Sequence, residues 1–301
     1  MIDGTLDAIY GAPIVTQTVQ TQFGDSTGGV TTGGELDAAY ATVSGGRLNV
    51  LITGNVENNF NKITLFIDSQ AGGENTLSAG PAYDFNNVSQ NFGGLTFDTG
   101  FTADYHVFGR WGSANGDTFE VDIVDRDGGN CTTNCLGDFG AASSGAGTAI
   151  QSGSILGNGL GTTSYLSTPA TFGFNNSNSA GVAGGTGPAN QMAAEAVTTG
   201  FEFSVDLADI GSPAPGDVIR LHAAYGNGDN NFHSNQILGG IPANLGNLGG
   251  DGDGNFTGTL GGIDFNNFDG NQYFSITVPV PEPGSAVLFA IGLVGLIRRR
   301  R

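Results

Sequence analysis

Apolar side chains recur at every second position in short runs along this chain, and the runs are separated by stretches rich in Gly, Asn and Ser. In Phe201-Glu202-Phe203-Ser204-Val205-Asp206-Leu207 the pattern is clearest. Phe201, Phe203, Val205 and Leu207 fall on one face, and Glu202, Ser204 and Asp206 on the other. A period of two is that of a strand, here with one face buried and one face wet. Comparable runs predict strands at 14–23, 36–43, 47–54, 62–68, 103–109, 118–124, 171–175, 201–207, 218–225 and 272–278. Helical periodicity is scarce, with a single turn expected near 189–196 or 207–210. Segments 128–161 and 175–188 carry no periodicity and read as long loops. Strands this short, punctuated by turn residues, predict an all-β fold: one β-sandwich, jelly-roll-like, over residues 1–278.

Residues 279–301 follow a different logic. Pro281-Glu282-Pro283 disfavours both helix and strand and leaves an extended segment open to a processing enzyme. An apolar run from Ala286 to Ile297 follows, and the chain ends on Arg298, Arg299, Arg300 and Arg301. A helix over 284–297 would be about 21 Å long. Against a hydrocarbon core of about 30 Å it is a short span, one that snorkelling arginines or a thinned bilayer would complete. The arginines prefer the cytoplasmic side, which places everything upstream outside.

This order of features resembles the PEP-CTERM sorting signal of exopolysaccharide-producing bacteria. The resemblance implies passage through the inner membrane, recognition by exosortase (a membrane cysteine protease) and removal of the tail. It also implies an export signal, which Met1-Ile2-Asp3-Gly4-Thr5-Leu6-Asp7 does not supply. Met1 is therefore expected to be an internal start, or the sequence a trimmed or misannotated form, with a signal peptide upstream; a real cytoplasmic start is the competing reading. A second, shorter resemblance links Asp3-Gly4-Thr5-Leu6-Asp7, Leu65-Phe66-Ile67-Asp68, Phe201 to Leu207, and Pro215-Gly216-Asp217 with the following strand to family 9 carbohydrate-binding modules and related DOMON-like sandwiches. It implies the fold; the aromatic pair that grips a sugar in those modules is not located in this sequence, so glycan binding is not carried over with the fold.

Composition narrows the function. Nine basic residues face 28 acidic ones, giving a net charge of -19, and four of the nine are the terminal arginines. Such a body repels nucleic acid, which is bound by Lys and Arg neutralising phosphates. Cys131 and Cys135 lie close together in a Gly-rich segment, where an oxidising compartment would let them close a small disulfide loop. Half of a metal site is the competing reading, though no His or second Cys pair nearby completes one.

The candidate chemistry is sparse. Asp251, Asp253 and Asn255 present oxygens at alternate positions, as a calcium loop does, but Phe256 and Gly262 stand where an EF-hand needs Gly and Glu. An Asx-rich turn with at most weak calcium affinity is expected, and no other cofactor. His106, His222 and His233 are not spaced as a triad or a metal site, and neither Gly-x-Ser-x-Gly nor His-Glu-x-x-His occurs. Trp111, the only Trp, and Tyr105 are the sequence's candidates for a polysaccharide contact. The reading is thus a non-enzymatic surface or extracellular-matrix protein associated with exopolysaccharide. A secreted glycan-active hydrolase on the same sandwich is the alternative, to be marked by two carboxylates facing each other across a cleft.

Overall fold

The computed structural model describes residues 1–23, 33–79, 85–112, 118–126, 136–143, 150–155, 166–242 and 244–280. Its strands are β1 (Val15–Thr16), β2 (Glu35–Ser44), β3 (Arg47–Asn55), β4 (Lys62–Asp68), β5 (Tyr105–Gly112), β6 (Thr118–Asp125) and β7 (Leu136–Ser143). They continue as β8 (Ile150–Ile155), β9 (Ala170–Asn175), β10 (Gly200–Asp206), β11 (Val218–Gly226), β12 (His233–Leu238) and β13 (Phe274–Thr277). One sheet runs β1-β2-β3-β10-β9-β8, and the other β12-β11-β4-β5-β6-β7 with β13 also paired to β11. All the strand pairings are antiparallel. The two sheets form a β-sandwich, as the alternating pattern implies.

The core between the sheets is filled by the period-two residues. Leu48, Val50 and Ile52 of β3 and Phe201, Phe203 and Val205 of β10 meet Leu65, Val107, Val121 and Leu221 from the opposite sheet. A second core lies on the far face of the second sheet. There Phe66, Phe108, Ala224 and Ile237 are covered by Phe92, Phe97, Leu260 and Phe265 from the long connections before β5 and after β12. Burial on both faces explains why β4 reads as the continuous apolar run Ile63-Thr64-Leu65-Phe66-Ile67 and is buried along its whole length.

Three expectations are corrected. Segment 128–161 is not one loop: it contains β7 and β8, which pair with β6 and β9. Their sequences are rich in Gly, Ser and Ala, so they carry little hydrophobic signal. Glycine is required at some of these positions, since a Cβ on Gly140 would lie 2.7 Å from Ile155 and one on Gly153 2.6 Å from Phe172. β12 was likewise hidden, because His233-Ser234-Asn235-Gln236 is polar although all four residues are buried. The third correction concerns β10. Glu202 and Ser204 are buried rather than wet. The N-terminal segment folds over them, and the Glu202 carboxylate accepts hydrogen bonds from the amides of Asp3 (2.8 Å) and Gly4 (3.0 Å) and from the Tyr10 hydroxyl (2.8 Å).

The predicted strand at 14–23 shrinks to the two residues of β1, extended by isolated bridges at Val19 and Thr21. The helical turn appears as α1 (Gln191–Glu195), capped by the Asn190 side chain, and a 3-10 turn spans Leu207–Asp209.

Candidate functional site

The sandwich closes at its C-terminal strand. β13 pairs along β11 from Val218↔Thr277 to Leu221↔Phe274. Val278 then donates its amide to the Asp217 carbonyl and accepts one from Gly216, both at 2.9 Å. Val278 is buried, whereas Val280 is exposed. The chain therefore leaves the folded body beside the Pro215-Gly216-Asp217 turn, immediately before the Pro281-Glu282-Pro283 motif. That motif, the apolar run and Arg298 to Arg301 lie outside the described residues, as do Cys131 and Cys135. Among the described residues no helix is long and apolar enough to cross a membrane.

Trp111 and Tyr105 do not offer a sugar-stacking surface. Trp111 is 2% exposed, with its ring centroid 5.8 Å from that of Phe174, and Tyr105 is 4% exposed. Both alternate onto the inner face of β5, so the strand register itself withdraws them. Burial also pushes the Tyr105 hydroxyl pKa up.

A neighbouring side chain takes the exposed position. The connection from β3 to β4 turns at Phe60, which has φ +69° and is 36% exposed. Its amide donates to the Trp111 carbonyl at 2.8 Å. The ring lies over Gly112, where a Cβ would come within 1.8 Å of it, and 6.0 Å from the Arg110 guanidinium carbon. Across from it, the β11–β12 turn is held by Asn227, whose Oδ1 accepts the amides of Asn231 and Phe232 at 3.0 Å each. Between the two loops lies a groove of about 380 Å³ lined by Asn59, Phe60, Asn61, Arg110, Asn227 and Asp229. An apolar ring face ringed by amides, one carboxylate and a guanidinium combines stacking area with directional hydrogen bonding. The signal available in the sequence was an aromatic residue embedded in the run Asn58-Asn59-Phe60-Asn61.

The Asp251 loop is an Asx turn. Asp251 Oδ1 accepts the amides of Asp253 (2.9 Å) and Asn255 (3.0 Å), and Oδ2 accepts Asn255 Nδ2 at 2.7 Å. These bonds, that from Asn255 first, lower the carboxyl pKa. The Asp251 oxygens suggested for a cation thus face N–H donors, and Asn255 turns its nitrogen, not its oxygen, toward Asp251. With Asp264, whose Oδ1 likewise serves the amide of Asn266 at 3.0 Å, Asp251 and Asp253 line a shallow groove of about 320 Å³. Among the described residues no three His, Cys, Asp or Glu converge closely enough to hold a metal ion.

All three histidines are buried. His106 Nδ1 lies 3.1 Å from Arg126 Nη1, and because a guanidinium only donates, this nitrogen is the acceptor. Burial, then the Arg126 charge, holds its pKa well below the ordinary 6.5. Burial lowers His222 to about 3 and His233 to about 4. The unfolded chain takes up a proton at each site below about pH 6.5, while the folded chain does not. The stability this neutrality contributes is complete above about pH 6.5 and is lost as pH falls toward the folded value. His222 Nδ1 lies 2.6 Å from the Gln272 carbonyl, a bond the amide of Asn can replace. We expect the stability advantage of the wild type over His222→Asn to shrink by about 1 kcal/mol per pH unit between about pH 6 and 4. Urea unfolding across that range checks it, and a constant difference would contradict it.

Residues 279–301 match the family model described as the PEP-CTERM protein-sorting motif. No curated protein and no solved structure matches the chain. The motif marks an exported protein that exosortase processes at the membrane, anchored there transiently and then sorted to the surface.

Proposed function

We propose that this is a non-enzymatic cell-surface or extracellular-matrix protein whose sandwich associates with exopolysaccharide through the Phe60 groove. The sorting motif at 279–301 carries the reading, because it marks the acidic body for export and surface sorting. The groove supports the finer part: it offers a half-exposed aromatic face with hydrogen-bonding amides around it. Its lining includes a single carboxylate, Asp229, so it lacks the facing pair a glycosidase uses. In the groove beside the Asp251 loop, Asp251 and Asp264 already serve as turn acceptors.

The test follows the full chain in its native cell. A tagged copy is expected on the cell surface without its C-terminal peptide, and a copy lacking residues 281–301 is expected to be absent from the surface. Recovery of the full chain inside the cell with its C-terminal peptide intact would overturn the reading. Affinity electrophoresis through the cell's own polysaccharide tests the groove. Retardation is expected for the wild type and is expected to fall at least about fivefold in Phe60→Ala, since one aromatic contact contributes about 1 kcal/mol or more. Equal retardation of the two would exclude the groove.

A further inference from the structure

The outer face of the second sheet is covered along only part of its length. Phe66, Ala224 and Ile237 lie beneath the second core. Toward the start of β11 that cover ends. Arg220 is paired with Asp68 of β4 on one side and Ser275 of β13 on the other, and Val218 with Thr277. Alternation puts all five on the outer face, in line with Phe66, while Ile219, Leu221 and Phe274 point into the sandwich. Val218 is 42% exposed, the Arg220 side chain 36%, and Ser275 and Thr277 are exposed as well.

The chain leaves the body at this same corner. Val278 is buried, Pro279 and Val280 are exposed, and a Cβ on Gly216 would lie 3.9 Å from Val280 Cγ2. Pro281 is three residues beyond Val278, so at about 3.6 Å per residue it stands no more than about 11 Å away. The apolar run begins at Ala286, eight residues beyond Val278 and within about 29 Å of it. A small folded domain is itself about 30 Å across. Whatever grips Pro281-Glu282-Pro283 at the membrane therefore lies against the body.

The corner has the make-up of a contact surface. A groove of about 320 Å³ runs along it, lined by Asp68, Ser69, Gln70, Asp217, Val218 and Arg220. Of the five bases upstream of the tail, Lys62, Arg110 and Arg126 are buried, so Arg220 and Arg47 are the ones solvent reaches. Arg220 Nη1 contacts Asp68 at 3.4 Å, which steadies the guanidinium beside the exposed Val218. Arg and apolar residues are the types enriched at protein interfaces, where Lys, Glu and Asp are depleted.

We propose that the bare corner of β11 and β13, around Val218 and Arg220, is the surface on which exosortase docks while it removes the tail. The proposal rests on the sorting motif at 279–301 and is independent of the Phe60 groove. The short connection holds the corner beside the enzyme that reads the motif, so the second contact forms at a high effective concentration. Motif and corner are then recognised together. Tail removal depends on the folded body as well as on the linear signal.

The experiment follows removal of the tail from the full chain in its native cell by pulse-chase. Val218→Ser combined with Arg220→Gln is expected to slow removal at least about fivefold. Met192→Ser, at a residue 80% exposed on α1, is expected to leave the rate unchanged. A spacer of about ten Gly and Ser residues between Val280 and Pro281 is expected to slow the wild type and to erase its advantage over the double variant. The spacer leaves the corner intact, so it decides the matter if the double variant does not fold. Faster removal with the spacer would mean that the body only obstructs the enzyme, and it overturns the proposal. Equal rates for wild type, double variant and spacer overturn it too. The processed body is expected to stay off protein-free vesicles of the cell's lipids and to sediment as a monomer. Vesicle binding or dimerisation that the double variant loses would assign the corner to lipid or to a second copy instead. A wild type that keeps its tail overturns the sorting reading and this proposal with it, whereas the other results bear on the corner alone.

Discussion

Glu74→Gln is expected to destabilise the folded chain by about 3–5 kcal/mol, the usual cost of removing one partner from a buried ion pair. Arg126 and Glu74 side chains are 1% and 4% exposed. The guanidinium donates from Nε at 2.7 Å and from Nη2 to the same Glu74 oxygen, while Nη1 faces His106. The pair fastens the β4–β5 connection, where Glu74 bridges Ala103, to the end of β6. Gln would take away the carboxylate charge that this buried guanidinium faces at Glu74. Urea denaturation reads the loss. Replacing both partners with apolar residues, Arg126→Met with Glu74→Leu, should recover most of it, because both desolvation costs vanish together. A single variant within about 1 kcal/mol of wild type would mean that water reaches the guanidinium.

The second large effect concerns the cohesion of the two sheets. Phe119 on β6 is fully buried and stacks on Phe174 of β9 in the opposite sheet, with centroids 4.0 Å apart. It also lies 5.5 Å from Phe201 of β10 and 6.0 Å from Phe172. Gly109 on the neighbouring strand makes room for it, since a Cβ there would be 2.9 Å from the ring. Phe119→Ala removes the ring from the centre of this aromatic cluster and leaves a cavity that β-strands on both sides cannot close. A loss of about 3–5 kcal/mol is expected, equivalent to a fall of about 10 °C in melting temperature. Calorimetry checks it; a loss below about 1 kcal/mol would show that the sheets meet elsewhere.

Much of this was written locally. The period-two pattern marked most strands to within two residues at each end, with β4 read at 62–68, the observed Lys62–Asp68. Phe201, Phe203 and Val205 lie on the inner face as their spacing requires. The sorting motif is also linear: Pro281-Glu282-Pro283, an apolar run and terminal arginines in one order. Both signals are carried by neighbours along the chain, so they need no knowledge of the fold.

What faces what was not local. The alternation in β10 says that Glu202 is opposite Phe203, but only the fold-back of Asp3, Gly4 and Tyr10 decides that it is buried. The strands β7 and β8 are defined by their pairing with β6 and β9, a property of partners rather than of hydrophobicity. Trp111 stood out in the sequence by its chemistry, yet register turned it inward and left Phe60, at a strained turn, to meet solvent. Asp37 on β2 accepts the amide of Val182, and Asn55 on β3 accepts the side-chain amide of Asn178, contacts between residues more than a hundred positions apart. Strand period and the sorting peptide were therefore determined by the sequence alone. Burial of charge and the make-up of each site were decided by the tertiary structure, because electrostatic cost depends on which distant groups exclude water.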